Sequence, residues 1–229
     1  MKTLYLWIDF FTVIVPFIFS FHPKIKFYKT WKSFFPACLL TTLMFIIWDS
    51  IFTKMGVWHF NPDYIIGIYI LDLPLEEILF FICIPFSCVF TFFCLNKFYN
   101  LSWKVRNEDI FCIVFAVFLF VVGFLFIDRA YTSVTFISTG LIILLFKYYL
   151  KMQWLGNAFT VYAILIIPFL IVNGMLTGSG IQRPVVMYNN ADNMHIRALT
   201  IPVEDVIYGF ELFIINLAFY KLFLKRKSK

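Results

Sequence analysis

Apolar residues run along this chain in long blocks broken by short polar stretches. The blocks fall at residues 4–21, 34–52, 78–98, 110–127, 134–150, 159–176 and 206–224. Each is close to the ~20 residues a helix needs to cross the hydrocarbon core of a bilayer. Stretches such as FCIVFAVFLFVVGFLFI are apolar on every face, whereas a membrane-barrel strand alternates polar and apolar positions. The pattern predicts seven membrane-crossing helices. The first block lacks a basic start and a small-residue cleavage site after its apolar run, so it reads as a span and not as a signal peptide.

Composition agrees. The 229 residues are 62% hydrophobic and 14% charged, with 32 Phe and a mean hydropathy of +0.88, against about 45–50% and about 25% in soluble domains. The expected class is an all-α integral membrane protein. Lys and Arg set its orientation, because cytoplasmic loops carry the excess. Lys24, Lys26, Lys29, Lys32, Lys97 and Lys104 share one predicted side with Arg106, Lys147, Lys151 and the basic C-terminal run from Lys221 to Lys229. Lys2, Lys54, Arg129, Arg183 and Arg197 fall on the other. This predicts a multi-pass protein of the cell membrane with its N-terminus outside and its C-terminus cytoplasmic. The net charge of +6 then reflects topology and attraction to anionic lipid, and no nucleic-acid partner is expected. The five cysteines lie in or beside apolar blocks without CxxC spacing, and the three histidines fall in three different loops. No metal site is expected.

The chain also repeats itself. Asp49, Trp58 and LPLEE at 73–77 are echoed by Asn173, Tyr188 and IPVED at 201–205. Asp49 to Pro74 is 25 positions and Asn173 to Pro202 is 29. Members of each pair are four spans apart and so cross the bilayer in the same direction. The prediction is a parallel internal repeat of three-helix units: residues 1–100 with spans 1–3, 101–130 with a linking span 4, and 131–229 with spans 5–7.

Pro74 and Pro202 suit the first turn of a helix, where a missing N–H costs nothing. Glu76, Glu77, Glu204 and Asp205 then lie where the helix dipole favours negative charge. Simple capping would explain one such motif; two at matching repeat positions point to a shared site. Glu204, Tyr208 and Glu211 have the spacing of one helix face. Glu211 lies well inside an apolar block, where an ionisable group is costly and usually functional. Nearly all the acidic residues fall in the predicted outer half, Glu108 and Asp109 excepted.

Carboxyl groups withdrawn from water and crowded together hold protons more tightly, while a helix N-terminus opposes this, so the sequence leaves acid and base unassigned. Aromatic walls exclude water and stabilise a cation on their faces. Such a pocket suits carbocation chemistry on an apolar alkene.

LPLEE, IPVED, NGMLT at 173–177, YNN at 188–190 and DRAYTS at 128–133 resemble the membrane-bound lycopene cyclase family. That family comprises small heterodimeric bacterial cyclases, their fused single-chain forms and the cyclase domain of fungal bifunctional cyclase/phytoene synthases. The likeness covers essentially the whole chain and is greatest to the fused form, with no synthase portion among these residues. It implies a lycopene β-cyclase: an isomerase of carotenoid biosynthesis that protonates the end group of a lipophilic linear carotenoid, closes a β-ionone ring and removes a proton. Glu76, Glu77, Glu204 and Asp205 are then the catalytic candidates. Asp49, Trp58, Asn173, Tyr188, Asn189, Tyr208 and Glu211 are candidates for binding substrate around them. No cofactor is implied, since Gly178-Ser179-Gly180 lacks the third glycine of a dinucleotide fingerprint.

Two alternatives remain: a proton-coupled transporter, or another membrane terpene or carotenoid cyclase or hydratase. Arg129 and Arg197 are candidates to pair with the acids. The number of ends cyclised, the ring type and the oligomeric state are not legible in the sequence.

Overall fold

The computed structural model describes residues 2–227. Seven α-helices carry the chain: α1 (Leu4–Phe19), α2 (Trp31–Met55), α3 (Leu75–Phe98), α4 (Val105–Leu125), α5 (Ala130–Leu144), α6 (Leu155–Leu176) and α7 (Val203–Lys227). A 3-10 turn (Phe27–Thr30) leads into α2, and a π-turn (Leu145–Tyr149) extends α5. Among the described residues, six helices are long and apolar enough to cross a membrane; α1, with 16 residues, is shorter than that standard. Several helices begin three to five residues before the apolar block that predicts them, because their first turns carry polar or charged side chains.

Short strands join the helices at one end of the bundle: β1 (Trp58–Phe60), β2 (Tyr69–Ile70), β3 (Leu73–Pro74), β4 (Val186–Tyr188), β5 (Arg197–Ala198) and β6 (Ile201–Pro202). β2–β3 and β5–β6 are tight antiparallel pairs leading directly into α3 and α7. β1 and β4 pair across the two halves of the chain. Pro74 therefore stands one residue before its helix, in extended conformation at the N-cap. Pro202 likewise ends β6 ahead of α7. This corrects the first-turn placement, and it lets each proline close a strand pair without donating to the helix ladder.

α7 is the most enclosed helix, packing on α2 and α5, while α1 packs on α3. α4 lies against α5 through glycines. An added Cβ at Gly123 would come within 2.7 Å of Ile137, and one at Gly140 within 2.9 Å of Phe120. Small residues allow this close approach, which replaces the hydrophobic drive that helices lack in lipid. At the end opposite the strands, Lys147 reaches Glu108 at 2.6 Å and Asp109 at 2.8 Å. The other oxygen of Glu108 accepts the Gly156 N–H at 2.9 Å, closing the N-terminus of α6.

Candidate functional site

The two acidic motifs open α3 and α7 side by side at the strand end, and within each motif the acids do different things. Glu76 Oε1 accepts the backbone N–H of Ile66 at 2.7 Å, and Glu204 Oε1 accepts that of Met194 at 2.7 Å. Each first glutamate thus fastens the loop ahead of its helix. Thr132 adds a 2.6 Å bond to Glu204. Both side chains are buried away from the cavity described next, and the Oε2 atom of each lacks a hydrogen-bond partner.

The second acid of each motif, Glu77 or Asp205, faces a common cavity between the halves of the chain. Tyr5 donates to Glu77 Oε2 at 2.6 Å, and Tyr131 donates to Asp205 Oδ1 at 2.7 Å. The remaining partners differ. Glu77 is in hydrogen-bonding contact with the carboxyl of Asp49. Asp205 Oδ2 instead receives Tyr188 at 2.9 Å and the Asn173 amide at 3.4 Å. Two carboxyl groups hydrogen-bond only when one carries a proton, because an ionised carboxylate has no donor. Asp205, by contrast, is surrounded by donors, the arrangement that favours an anion.

Tyr208 completes the Asp49 side, donating to Oδ1 at 2.5 Å. The rings form one wall. Trp58 lies 5.1 Å from Tyr131, 6.0 Å from Tyr188 and 6.4 Å from Tyr208, measured between centroids. Phe60 and Val186 join Trp58 and Tyr188 as the roof, contributed by the β1–β4 pair. Below the acids the lining turns apolar, with Phe80, Ile84, Leu165, Phe169 and Leu212. About 1010 Å³ of space lies between these atoms, part of it open to the exterior. The phenol of Tyr188, in the loop outside the spans, is pushed well above the usual 10.0, first by burial and then by the Asp205 carboxylate beside it. It is held as a donor.

Of the sequence candidates, Glu77, Asp205, Asp49, Trp58, Asn173, Tyr188 and Tyr208 converge on this cavity. Glu76, Glu204, Asn189 and Glu211 stand outside it. Asn189 shapes the loop, its Oδ1 accepting from Ala191 N at 3.0 Å. Glu211 accepts from Ser138 and Thr139 of α5, at 2.8 and 2.6 Å. The shared face of Glu204, Tyr208 and Glu211 is thus divided, its edges turned to α5 and its centre to α2. Arg129 and Arg197 do not pair with the motif acids. Arg129 binds the carbonyls of Asn190 and Ala191. Arg197 binds the Thr200 carbonyl and Asn190 Oδ1, and lies 5.9 Å over the Tyr188 ring. Loop oxygens hold both cations away from direct contact with the acids. Among the described residues, no cluster of three or more His, Cys, Asp or Glu is placed to hold a metal ion.

Sequence reasoning missed Tyr5 as a site residue and passed over Tyr131 within its motif. Each is the second residue of its helix, α1 or α5, but Tyr131 stands ahead of the apolar block that predicts α5. Trp58 and Tyr188, read as counterparts, are cross-strand neighbours instead. From Pro74 to Pro202 is 128 positions, and the same step carries Trp58 to Val186 and Phe60 to Tyr188.

Compared with known proteins, the chain matches the family model described as lycopene cyclase in two segments, residues 2–95 and 128–223. A bifunctional lycopene cyclase/phytoene synthase from Aspergillus niger is 38% identical over 47 residues, which are 19% of this chain and 8% of that protein. The alignment thus spans only a small part of the length of that curated relative. No solved structure gives a significant match.

Proposed function

This chain belongs to the lycopene cyclase family, and from that premise we propose that it is a β-cyclase of linear carotenoids, lycopene foremost, working by acid/base catalysis without a cofactor. The carrying observation is the unequal pair of acids in one aromatic cavity: Glu77 against a second carboxyl, Asp205 against three donors.

In this reading the Asp49–Glu77 pair holds one proton and Glu77 delivers it to the terminal double bond of the end group. The electron pair of the neighbouring double bond attacks the resulting cation and closes a six-membered ring. Trp58, Tyr131, Tyr188 and Tyr208 present π-faces that stabilise the positive charge. Asp205 takes a proton from the carbon next to the ring cation, leaving a ring double bond. No electrons are gained or lost, and substrate and product are isomers. The proton on Asp205 returns to the pair before the next turnover. Glu76 and Glu204 act as positioning residues, fixing the loops whose backbones carry the roof of the site.

The same proposal includes the parallel repeat, with units 1–100 and 131–229 joined by 101–130. Its support is the double family match and the constant 128-residue step between paired bonds. Asn61 N binds Val185 O at 2.8 Å and Asn189 N binds Val57 O at 2.7 Å, while Glu76 and Glu204 take amides at identical distances. It also includes the orientation: the strand end and the acids outside, and the Lys-rich end cytoplasmic, as the charge bias requires.

The test is expression in a bacterial host that accumulates lycopene, with pigments resolved by chromatography. Cyclic carotenes are expected from the native chain and none from Glu77→Gln at equal membrane abundance. Lycopene left linear by the native chain in the membrane would overturn the reading.

A further inference from the structure

A second apolar recess runs along the outside of the bundle between α1 and α6. Leu4, Trp7, Phe11 and Pro16 line it from α1, Thr91 from α3 and Ile171 from α6. It encloses about 1490 Å³ of space open along one side. It adjoins the acid cavity, and Thr12, Ser87, Leu165, Pro168 and Val172 line both. α1 packs closely on α3 but touches α6 only sparsely. Pro16 and Pro168 lie inside their helices, where the missing N–H loosens the ladder and bends the axis. Trp7 is 50% exposed, Phe11 65% and Ile171 62%, so this face meets lipid.

The recess has the dimensions of an elongated guest. Leu4 to Pro16 is twelve helical steps, about 18 Å at ~1.5 Å per residue. An extended C40 polyene is on the order of the ~30 Å hydrocarbon thickness, and its reacting end would occupy the acid cavity. The wall is chemically suited to a hydrocarbon. The hydroxyl of Ser87 is spent on the carbonyls of Thr12 and Cys83 at 2.9 Å, and that of Thr91 on the Ser87 carbonyl at 2.8 Å. Neither asks for a polar partner from the guest.

We propose that the α1–α6 groove is a binding channel for the unreacted length of a long linear polyene, and the side entrance by which that polyene passes from the bilayer to the acids. This rests on the cyclase reading above and adds where the rest of the substrate lies. One end enters the cavity while the tail lies along the seam, so entry is sideways from lipid and needs no passage through the strand-capped end. Cyclising a second end then requires the molecule to leave by the seam and return reversed.

The experiment compares two substrates with the same acyclic end group, a C40 polyene and a C20 terpene hydrocarbon, using the full chain in lipid nanodiscs. Ile171→Trp and Thr91→Trp fill the groove beyond the cavity; Val114→Trp on the lipid face of α4 serves as a control. The native chain is expected to show the lower KM for the C40 substrate. The groove variants should raise that KM about tenfold, with kcat and the C20 kinetics unchanged, and Thr91→Val should behave as the native chain. Groove variants that match Val114→Trp on the C40 substrate would overturn the channel and leave the cyclase reading standing, with lipid chains as the occupant. A native chain that cyclises neither substrate would overturn both.

Discussion

Tyr208 on α7 donates a 2.5 Å hydrogen bond to Asp49 on α2, joining residues 159 positions apart. Asp49 in turn contacts Glu77 on α3, so three helices meet at one carboxyl pair. Asn173 of α6 donates its amide to Asp205 at 3.4 Å, whereas Glu77 has the Asp49 carboxyl beside it. An acid on one side and an amide on the other is the difference from which the proton donor and acceptor are assigned.

Asp49→Asn is therefore expected to lower kcat by about 10²-fold or more, within the range for loss of a general acid. The new amide donates to Glu77 and removes the reason for the pair to hold a proton. Tyr208→Phe removes one bond and keeps the pair, so it should cost only about tenfold. Turnover in nanodiscs at saturating polyene separates the two. Equal rates for Asp49→Asn and the native chain would remove Asp49 from the proton-bearing pair.

Asn173→Asp should be more damaging than Asn173→Ala. The alanine loses one donor, worth about tenfold against a charged acceptor. The aspartate places a second carboxyl against Asp205 and makes a second proton-sharing pair where a base is needed. The ranking of initial rates, with protein in the membrane verified, decides it. A faster Asp variant would reverse the assignment of base.

Glu76→Gln keeps the oxygen that accepts the Ile66 amide and should retain activity within a few-fold. Glu76→Ala leaves that amide without its partner and should lower stability by about 1–3 kcal/mol, seen as a lower melting temperature in detergent. The pattern is the inverse of that expected at Glu77, where Gln abolishes turnover. Abolished turnover in a stable Glu76→Gln protein would move Glu76 into the chemistry.

Tyr188 carries a pH signature. Its phenol is raised in the folded protein, so its contribution to stability is complete below the unfolded value of 10.0 and is lost as pH rises through the higher folded value. As pH rises past about 10, Tyr188→Phe should lose less stability than the native chain. Parallel alkaline curves for the two proteins would show that the hydroxyl is not buried against Asp205.

The sequence by itself determined the helices and the doubled motif. Both are local properties: a run of apolar side chains long enough for hydrocarbon, and a Pro-x-Glu-acid stretch opening a helix. Asp49, Trp58, Asn173 and Tyr188 were legible as companions of the acids because each lies a short distance ahead of a motif, and Tyr208 because it has the spacing of one helix face with Glu204. Tertiary structure alone decided which acid of each motif faces the cavity. Neighbouring residues on a helix point about 100° apart, so Glu76 and Glu77 cannot share a direction, and packing against the loop and α1 settles which turns inward. Packing likewise brought Tyr5 and Tyr131 to the acids and set Trp58 opposite Tyr188. It turned Glu211 towards α5 and spent Arg129 and Arg197 on loop carbonyls. Each of these depends on residues far apart in the chain, and a linear pattern holds no record of which distant faces meet.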